Sequence, residues 1–81
     1  MRFFLSPKAE ADYEDLTPRI QKAFNKQLGH LLRDIRHPSL HAKKYDEGLD
    51  RWQARVTRDH RFYFQIVDDV YVIVAITRHP K

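Results

Sequence analysis

Apolar residues recur along this chain with two different periods, and the change from one to the other falls near Pro38. Before it, Ile20, Phe24, Leu28, Leu31, Leu32 and Ile35 form a stripe stepping mostly by three or four. That is the repeat of an amphipathic helix. Thr17-Pro18 supplies its start, with a hydroxyl to cap the first turn and a proline at the first helical position. Pro38 is expected to stop it, because the residue before a proline avoids the helical region. Ser6-Pro7 carries the same start signal for a shorter helix reaching about Leu16, with Ala9, Tyr13 and Leu16 on one face. Ahead of that, Arg2 to Leu5 reads as a short strand.

After Pro38 the period becomes two. A short strand is expected near Lys43 to Tyr45. Trp52, Ala54 and Val56 then alternate with Arg51, Gln53, Arg55 and Thr57, and Phe62, Phe64 and Ile66 alternate with Arg61, Tyr63, Gln65 and Val67. This is the pattern of half-buried antiparallel strands. In the last strand, Val70, Val72, Val74 and Ile76 are expected on one side and Tyr71, Ile73, Ala75 and Thr77 on the other. Asp68-Asp69 suits a two-residue hairpin turn, and Thr57 to His60 a slightly longer one. The expected fold is α+β: a strand, a two-helix hairpin, and an antiparallel sheet of three or four strands with the helices on one face. At 81 residues the chain makes one domain, 1–81, with one core.

Composition narrows the function classes. With only two glycines, a glycine-rich phosphate loop is excluded. Without cysteine there is neither a disulfide nor a zinc–thiolate site, which suits a reducing cytosol. The N-terminal stretch reaches acidic residues too early for a signal peptide, and the apolar run Val70 to Ile76 falls far short of the about 20 residues needed to cross a bilayer. A cytoplasmic domain without a membrane role is expected. The formal net charge of +4 favours an anionic partner, either nucleic acid or an acidic protein.

The charge acquires meaning through its placement on strands. Arg55 and Arg61 leave two paired strands on the same side, near the turn that joins them, with Tyr63 on the same stripe. Guanidinium forks match phosphate oxygens in pairs, and a tyrosine ring stacks on an unpaired base. Arg78 and His79 close the last strand, and a histidine is the side chain that exchanges protons near neutral pH. Lys43, Lys44 and Lys81 are candidates for the rim, Asp59 for a supporting role, and His60 for a contact in the same groove. Taken singly, each of these also suits an ordinary solvated surface residue. His37 and His41 have a spacing seen in metal sites, but Pro38 lies between them and no carboxylate or cysteine completes a set, so no metal or other cofactor is expected.

The stretch HPSLHAKKYDEGLDRWQARVTRDHRFYFQIVDDVYVIVAITRH resembles the RelE/ParE superfamily of toxins from type II toxin–antitoxin systems. The features in common are the proline after the long helix, a basic segment, Trp-Gln-Ala-Arg-Val, a turn, an Arg-Phe-Tyr-Phe strand and an apolar strand ending in histidine. They are closer to the RelE and YafQ branches than to ParE. The resemblance implies a fold of the microbial ribonuclease type. It also implies a metal-independent mRNA endonuclease acting at the ribosome and neutralised by a small acidic antitoxin in a hetero-oligomer. By position, Arg61 matches the arginine that holds the scissile phosphate, Arg55 a basic residue lining the groove, and His79 a terminal histidine. Lys43 and Lys44 correspond to the basic segment, and Asp59 to an acidic position. Many RelE-like chains also carry an aromatic residue beyond the last strand; Pro80-Lys81 stands there instead, which leaves Tyr63 as the candidate for stacking. A ParE-like inhibitor that binds a protein such as gyrase, and a degenerate toxin that only binds antitoxin, are the alternative readings.

Overall fold

The computed structural model describes residues 2–78. Strand β1 (Arg2–Leu5) leads into helices α1 (Pro7–Glu14) and α2 (Pro18–Arg33), followed by a 3-10 turn at Pro38–Leu40. Strands β2 (Lys43–Asp46), β3 (Arg51–Arg55), β4 (His60–Val67) and β5 (Val70–Arg78) follow. All five strands form one sheet in the order β1-β5-β4-β3-β2. The three pairings from β2 to β5 are antiparallel, whereas β1 lies parallel to β5 at the far edge. The sheet is therefore mixed and one strand wider than the antiparallel meander expected from the alternation.

Both helices start as their sequences dictate. Ser6 Oγ accepts from Ala9 N at 3.1 Å and Thr17 Oγ1 from Ile20 N at 3.4 Å, each followed by the proline. The end of α2 differs from expectation. Asp34 turns extended (φ −163°, ψ 108°), and its Oδ1 accepts from Arg36 N at 2.9 Å, so the side chain ends the helix before Pro38 is reached. Ile35 thus lies outside the helix but still packs against the core.

The core lies between α2 and one face of the sheet. Phe24 of α2 meets Phe62 edge to face at 5.3 Å, and Phe62, Phe64, Ile73, Leu31 and Leu40 are fully buried with it. Each such side chain contributes about 1.5–3 kcal/mol by leaving water. The turn at Asp68-Asp69 has both residues at positive φ (47° and 65°), the conformation of a two-residue hairpin whose twist matches its strands.

Strict alternation fails in β5. Tyr63 faces Ala75 but Phe64 faces Ile73, which leaves Val74 as an inserted residue. Tyr71, Ile73 and Ile76 consequently share the buried face, in place of the expected sets. The bulge is stitched to the start of α1. Ser6 N donates to Ile73 O at 2.9 Å, Ser6 Oγ to Val74 O at 3.1 Å, and Ile76 N donates to Asp12 Oδ2 at 3.0 Å. In an unbulged register Ile76 would stand beside Arg61. The insertion sends Ile76 into the core opposite Phe62 and sets Thr77 beside Arg61 and Ala75 beside Tyr63.

Candidate functional site

The face of the sheet turned away from the helices carries the polar stripes of β3 and β4, arranged in rows by the strand register. Arg55, Arg61 and Thr77 form one row, and Lys43, Gln53, Tyr63 and Ala75 the next. Arg55 and Arg61 are direct cross-strand partners. Together with His41, Ala42, Lys43 and Gln53 they line a cavity of about 390 Å³.

The two arginines are held differently. Arg61 Nη1 donates to the carbonyls of Thr57 at 2.8 Å, His60 at 3.0 Å and Arg58 at 3.2 Å, so the β3–β4 turn fixes the guanidinium in place. Arg55 is fixed through its backbone. Gln27, buried on α2, donates Nε2 to Arg55 O at 2.9 Å and to Ser39 O at 3.0 Å, and its Oε1 accepts from Ser39 Oγ at 3.1 Å. Arg55 Nε is itself buried and meets no acceptor among the described residues. Arg51 Nε is in the same state, so the marker of this end is the shared cavity of Arg55 and Arg61, not the unpaired Nε.

The remaining candidates separate. Lys43 joins the cavity, but Lys44 does not: it stands opposite Trp52 on the other face, 2.9 Å from Asp50 and 3.6 Å from Glu47. The hydrogen bond to Asp50 holds its ammonium above the ordinary lysine range, and the charges of Asp50 and Glu47 add to this against a desolvation penalty. Consecutive strand residues point to opposite faces, so only one of the two lysines can reach the groove. His60 and Arg78 are paired with each other on the helix side of the sheet, and His60 Nδ1 lies 3.2 Å from Thr57 Oγ1. Asp59 is exposed at the turn, where its N–H donates to Thr57 Oγ1. His79 and Lys81 lie outside the described residues.

Three contributors escaped the reading of the sequence. His41 lines the cavity from a left-handed backbone (φ 46°) that follows the 3-10 turn, where local periodicity carries no signal. Gln27 was legible as a polar residue within the apolar stripe of α2. Tyr45 sits where the β2–β3 register shifts between Lys44 and Asp46, and its ring meets Tyr63 edge to face at 5.3 Å.

A histidine pair is joined to the Gln27 anchor through Ser39. His30 and His37 stack at 3.7 Å, and His37 Nδ1 accepts from Ser39 N at 3.2 Å. Desolvation lowers the His30 pKa from its ordinary value, and His37, Lys26 and Arg33 push it the same way.

The model of the ParE toxin of type II toxin–antitoxin systems, parDE, matches residues 3–80. The chain belongs to that family and is a toxin of a type II toxin–antitoxin system. Solved structures with the same fold span both named branches. A YoeB/ParE toxin from Agrobacterium tumefaciens superposes with a TM-score of 0.83 at 16% identity, over 99% of this chain and 100% of that one. The archaeal RelE of the RelE-RelB complex from Pyrococcus horikoshii gives 0.82 at 15%, over 99% and 96%. The YoeB-YefM complex from Staphylococcus aureus gives 0.79 at 20%, over 99% and 98%. No curated protein sequence matches the chain. The expected superfamily and the α+β fold are thereby borne out.

Proposed function

We propose that this toxin is a metal-independent endoribonuclease that cleaves mRNA at the ribosome, with the Arg55–Arg61 cavity as its phosphate site. The observation that carries the reading is that pair: two guanidinium groups on directly opposed strand residues, sharing one concavity with Lys43 and His41. In the reaction, the ribose 2′-oxygen loses its proton to a base and bonds to the adjacent phosphorus as the bond to the 5′-oxygen breaks and that oxygen gains a proton. Charge builds on the phosphoryl oxygens in between. Donors already fixed in place stabilise it without reorganising, and the turn carbonyls give Arg61 that fixity. His41 lines the cavity and supplies an imidazole, the side-chain type suited to proton transfer, and His79 remains a candidate for the second proton transfer.

Solved relatives such as the YoeB-YefM and RelE-RelB pairs are toxin–antitoxin complexes, which supports a cognate antitoxin as partner. A small acidic segment would complement the same basic cavity.

The test is primer extension on ribosome-bound mRNA after induction. New 5′ ends within coding sequence, lost in Arg61→Ala, are expected. Their absence in the wild type would sink the enzyme reading. A second reading, a ParE-like inhibitor of a protein target without chemistry, draws support from the ParE family model itself. Inhibition of gyrase supercoiling without RNA cleavage would establish it instead.

A further inference from the structure

The 3-10 turn Pro38–Leu40 joins a histidine outside the basic cavity to two residues that form it. The turn is capped at its start by the His37 ring, whose Nδ1 accepts from Ser39 N at 3.2 Å. At its far end His41, which lines the cavity, takes a left-handed backbone (φ 46°, ψ 42°) and donates its N–H to Pro38 O at 3.3 Å. A non-glycine residue keeps that strained conformation only while its surroundings impose it. Between the two, Ser39 O and Ser39 Oγ both bond to Gln27, which also holds the Arg55 carbonyl. Leu40 is fully buried and pins the turn to the core.

The cap works in one protonation state. The Ser39 amide proton is fixed on its nitrogen, so the bond needs a lone pair on Nδ1 and a neutral ring. A proton on Nδ1 turns the acceptor into a donor and strands the amide. The Ser39 hydroxyl, 2.9 Å from the same nitrogen, can reverse its role and does not tell the two states apart. Stacking adds a second reason to stay neutral. His30 lies 3.7 Å from His37 at 15° between planes, so a cation on either ring opposes one on the other. Desolvation, then His37, Lys26 and Arg33, hold the His30 pKa below its ordinary value. Asp34, the acidic residue between the two histidines in sequence, turns Oδ1 to Arg36 N at 2.9 Å. The turn itself, Pro-Ser-Leu, brings no charge, and β3 brings Arg55.

We propose that His37 is a positioning residue of the basic cavity: neutral, it caps the turn that sets His41 and the Arg55 carbonyl, and protonated, it releases both and weakens the hold on a phosphate ester. The proposal rests on the phosphate-site reading above and adds to it a regulation of that site by pH. Its sign runs against simple electrostatics, in which acidification adds positive charge and tightens the grip on an anion.

The experiment is a fluorescence-anisotropy titration of the full chain with a 2′-O-methylated hexanucleotide, which cannot be cleaved, carrying a pH-insensitive label. It is run between about pH 8 and about pH 5, across the histidine range. His37→Asn supplies the Ser39 amide with an oxygen that does not titrate, and His37→Ala supplies nothing. At the upper pH the wild type and His37→Asn should bind alike, with His37→Ala about fivefold weaker, the factor for one net hydrogen bond. At the lower pH His37→Asn should bind about fivefold more tightly than the wild type. Titrations inside the cavity are common to all three proteins and cancel in the comparison, and circular dichroism at each pH corrects for the folded fraction. A second measurement needs no variant. In proton NMR of the wild type, saturating oligonucleotide should make His37 harder to protonate, because coupling between two sites is reciprocal. An anion acting through charge alone makes a histidine easier to protonate. If His37→Asn follows the wild type over the whole range, or if the oligonucleotide makes His37 easier to protonate, the coupling is wrong while the phosphate site stands. If the oligonucleotide binds at no pH, the phosphate-site reading fails and the proposal with it.

Discussion

The open face of the sheet has two ends of opposite character. At one end Arg55, Arg61, Lys43 and His41 surround a cavity of about 390 Å³; at the other, Phe4, Val67, Val70 and Val72 join Arg2, Phe3 and Asp68 around an apolar concavity of about 430 Å³. The larger concavity is the less equipped for chemistry, since its charged residues are one arginine and one aspartate. The difference follows from how the two ends are made. The basic end is built by neighbours in sequence across one tight turn, and α2 anchors it through Gln27. The apolar end needs β1, brought from the opposite end of the chain to lie parallel on β5. Phe4, 57% exposed, sits on that edge. A basic cavity and an exposed apolar concavity thus occupy one face without overlapping.

The largest expected effect separates the two ends directly. Arg61→Ala should slow mRNA cleavage by two orders of magnitude or more, about 3 kcal/mol of barrier, the range for losing a fixed charge-stabilising donor. Phe4→Ser at the apolar end should cleave at the wild-type rate. Phe4→Ser should leave the melting temperature nearly unchanged, whereas Arg61→Ala also loses the bonds to the turn carbonyls, so its cleavage rate is to be compared per folded molecule. Equal losses in the two variants would mean that the cavity is not the reaction site.

The second effect tests the anchor. Gln27→Leu keeps the volume but strands the carbonyls of Arg55 and Ser39. A buried group left unpaired costs about 1–3 kcal/mol, to be read as a lower denaturation midpoint. Because Gln27 holds Arg55, cleavage should fall further than the unfolded fraction accounts for. A variant as stable as the wild type would show that water replaces the amide.

Much of this was written in local signals. The Ser-Pro and Thr-Pro starts, the stripe of α2 and the Asp68-Asp69 turn each involve residues within one or two turns of one another. Arg55 and Arg61 were legible as a pair because a short turn fixes which strand positions face each other. What escaped was non-local or lacked contrast. Nothing in Arg2–Leu5 names β5 as its partner. Val70 to Ile76 is apolar on both sides, so no polar residue marks where the Val74 insertion changes the phase. Tyr45 was hidden for the same reason, by a bulge that pattern reading cannot place. Lys44 is a different case: its adjacency to Lys43 already meant that one of the two must face away.

A smaller effect is expected at the bulge. Ser6→Ala removes the cap on Ala9 N and the donor to Val74 O together. Loss of a cap costs about 1 kcal/mol. Ser6→Thr should restore most of it, as measured by urea denaturation. If Ser6→Ala is neutral, the bulge is held by strand packing and needs no stitch.

The smallest effect is a pH dependence confined to the basic end. His30 titrates below its ordinary value of 6.5 because desolvation, the His37 ring and the charges of Lys26 and Arg33 all disfavour its cation. The folded protein therefore binds fewer protons than the unfolded chain at this site, so stability rises with pH there. The contribution is complete above the ordinary value and is lost as pH falls through 6.5 toward the folded one. Two rings 3.7 Å apart cannot both carry charge without repulsion, and His37 supports Ser39, which bonds to Gln27 and through it to Arg55. Hydrogen exchange should therefore quicken on acidification at Ser39 N, which donates to His37 Nδ1, after correction for the intrinsic rate. The Ile76 amide, bonded to Asp12 beside the bulge, should keep its protection in the same range. His30→Asn should flatten the response at Ser39. Equal loss of protection at both amides would place the acid sensitivity in the whole fold and not in the His30–His37 pair.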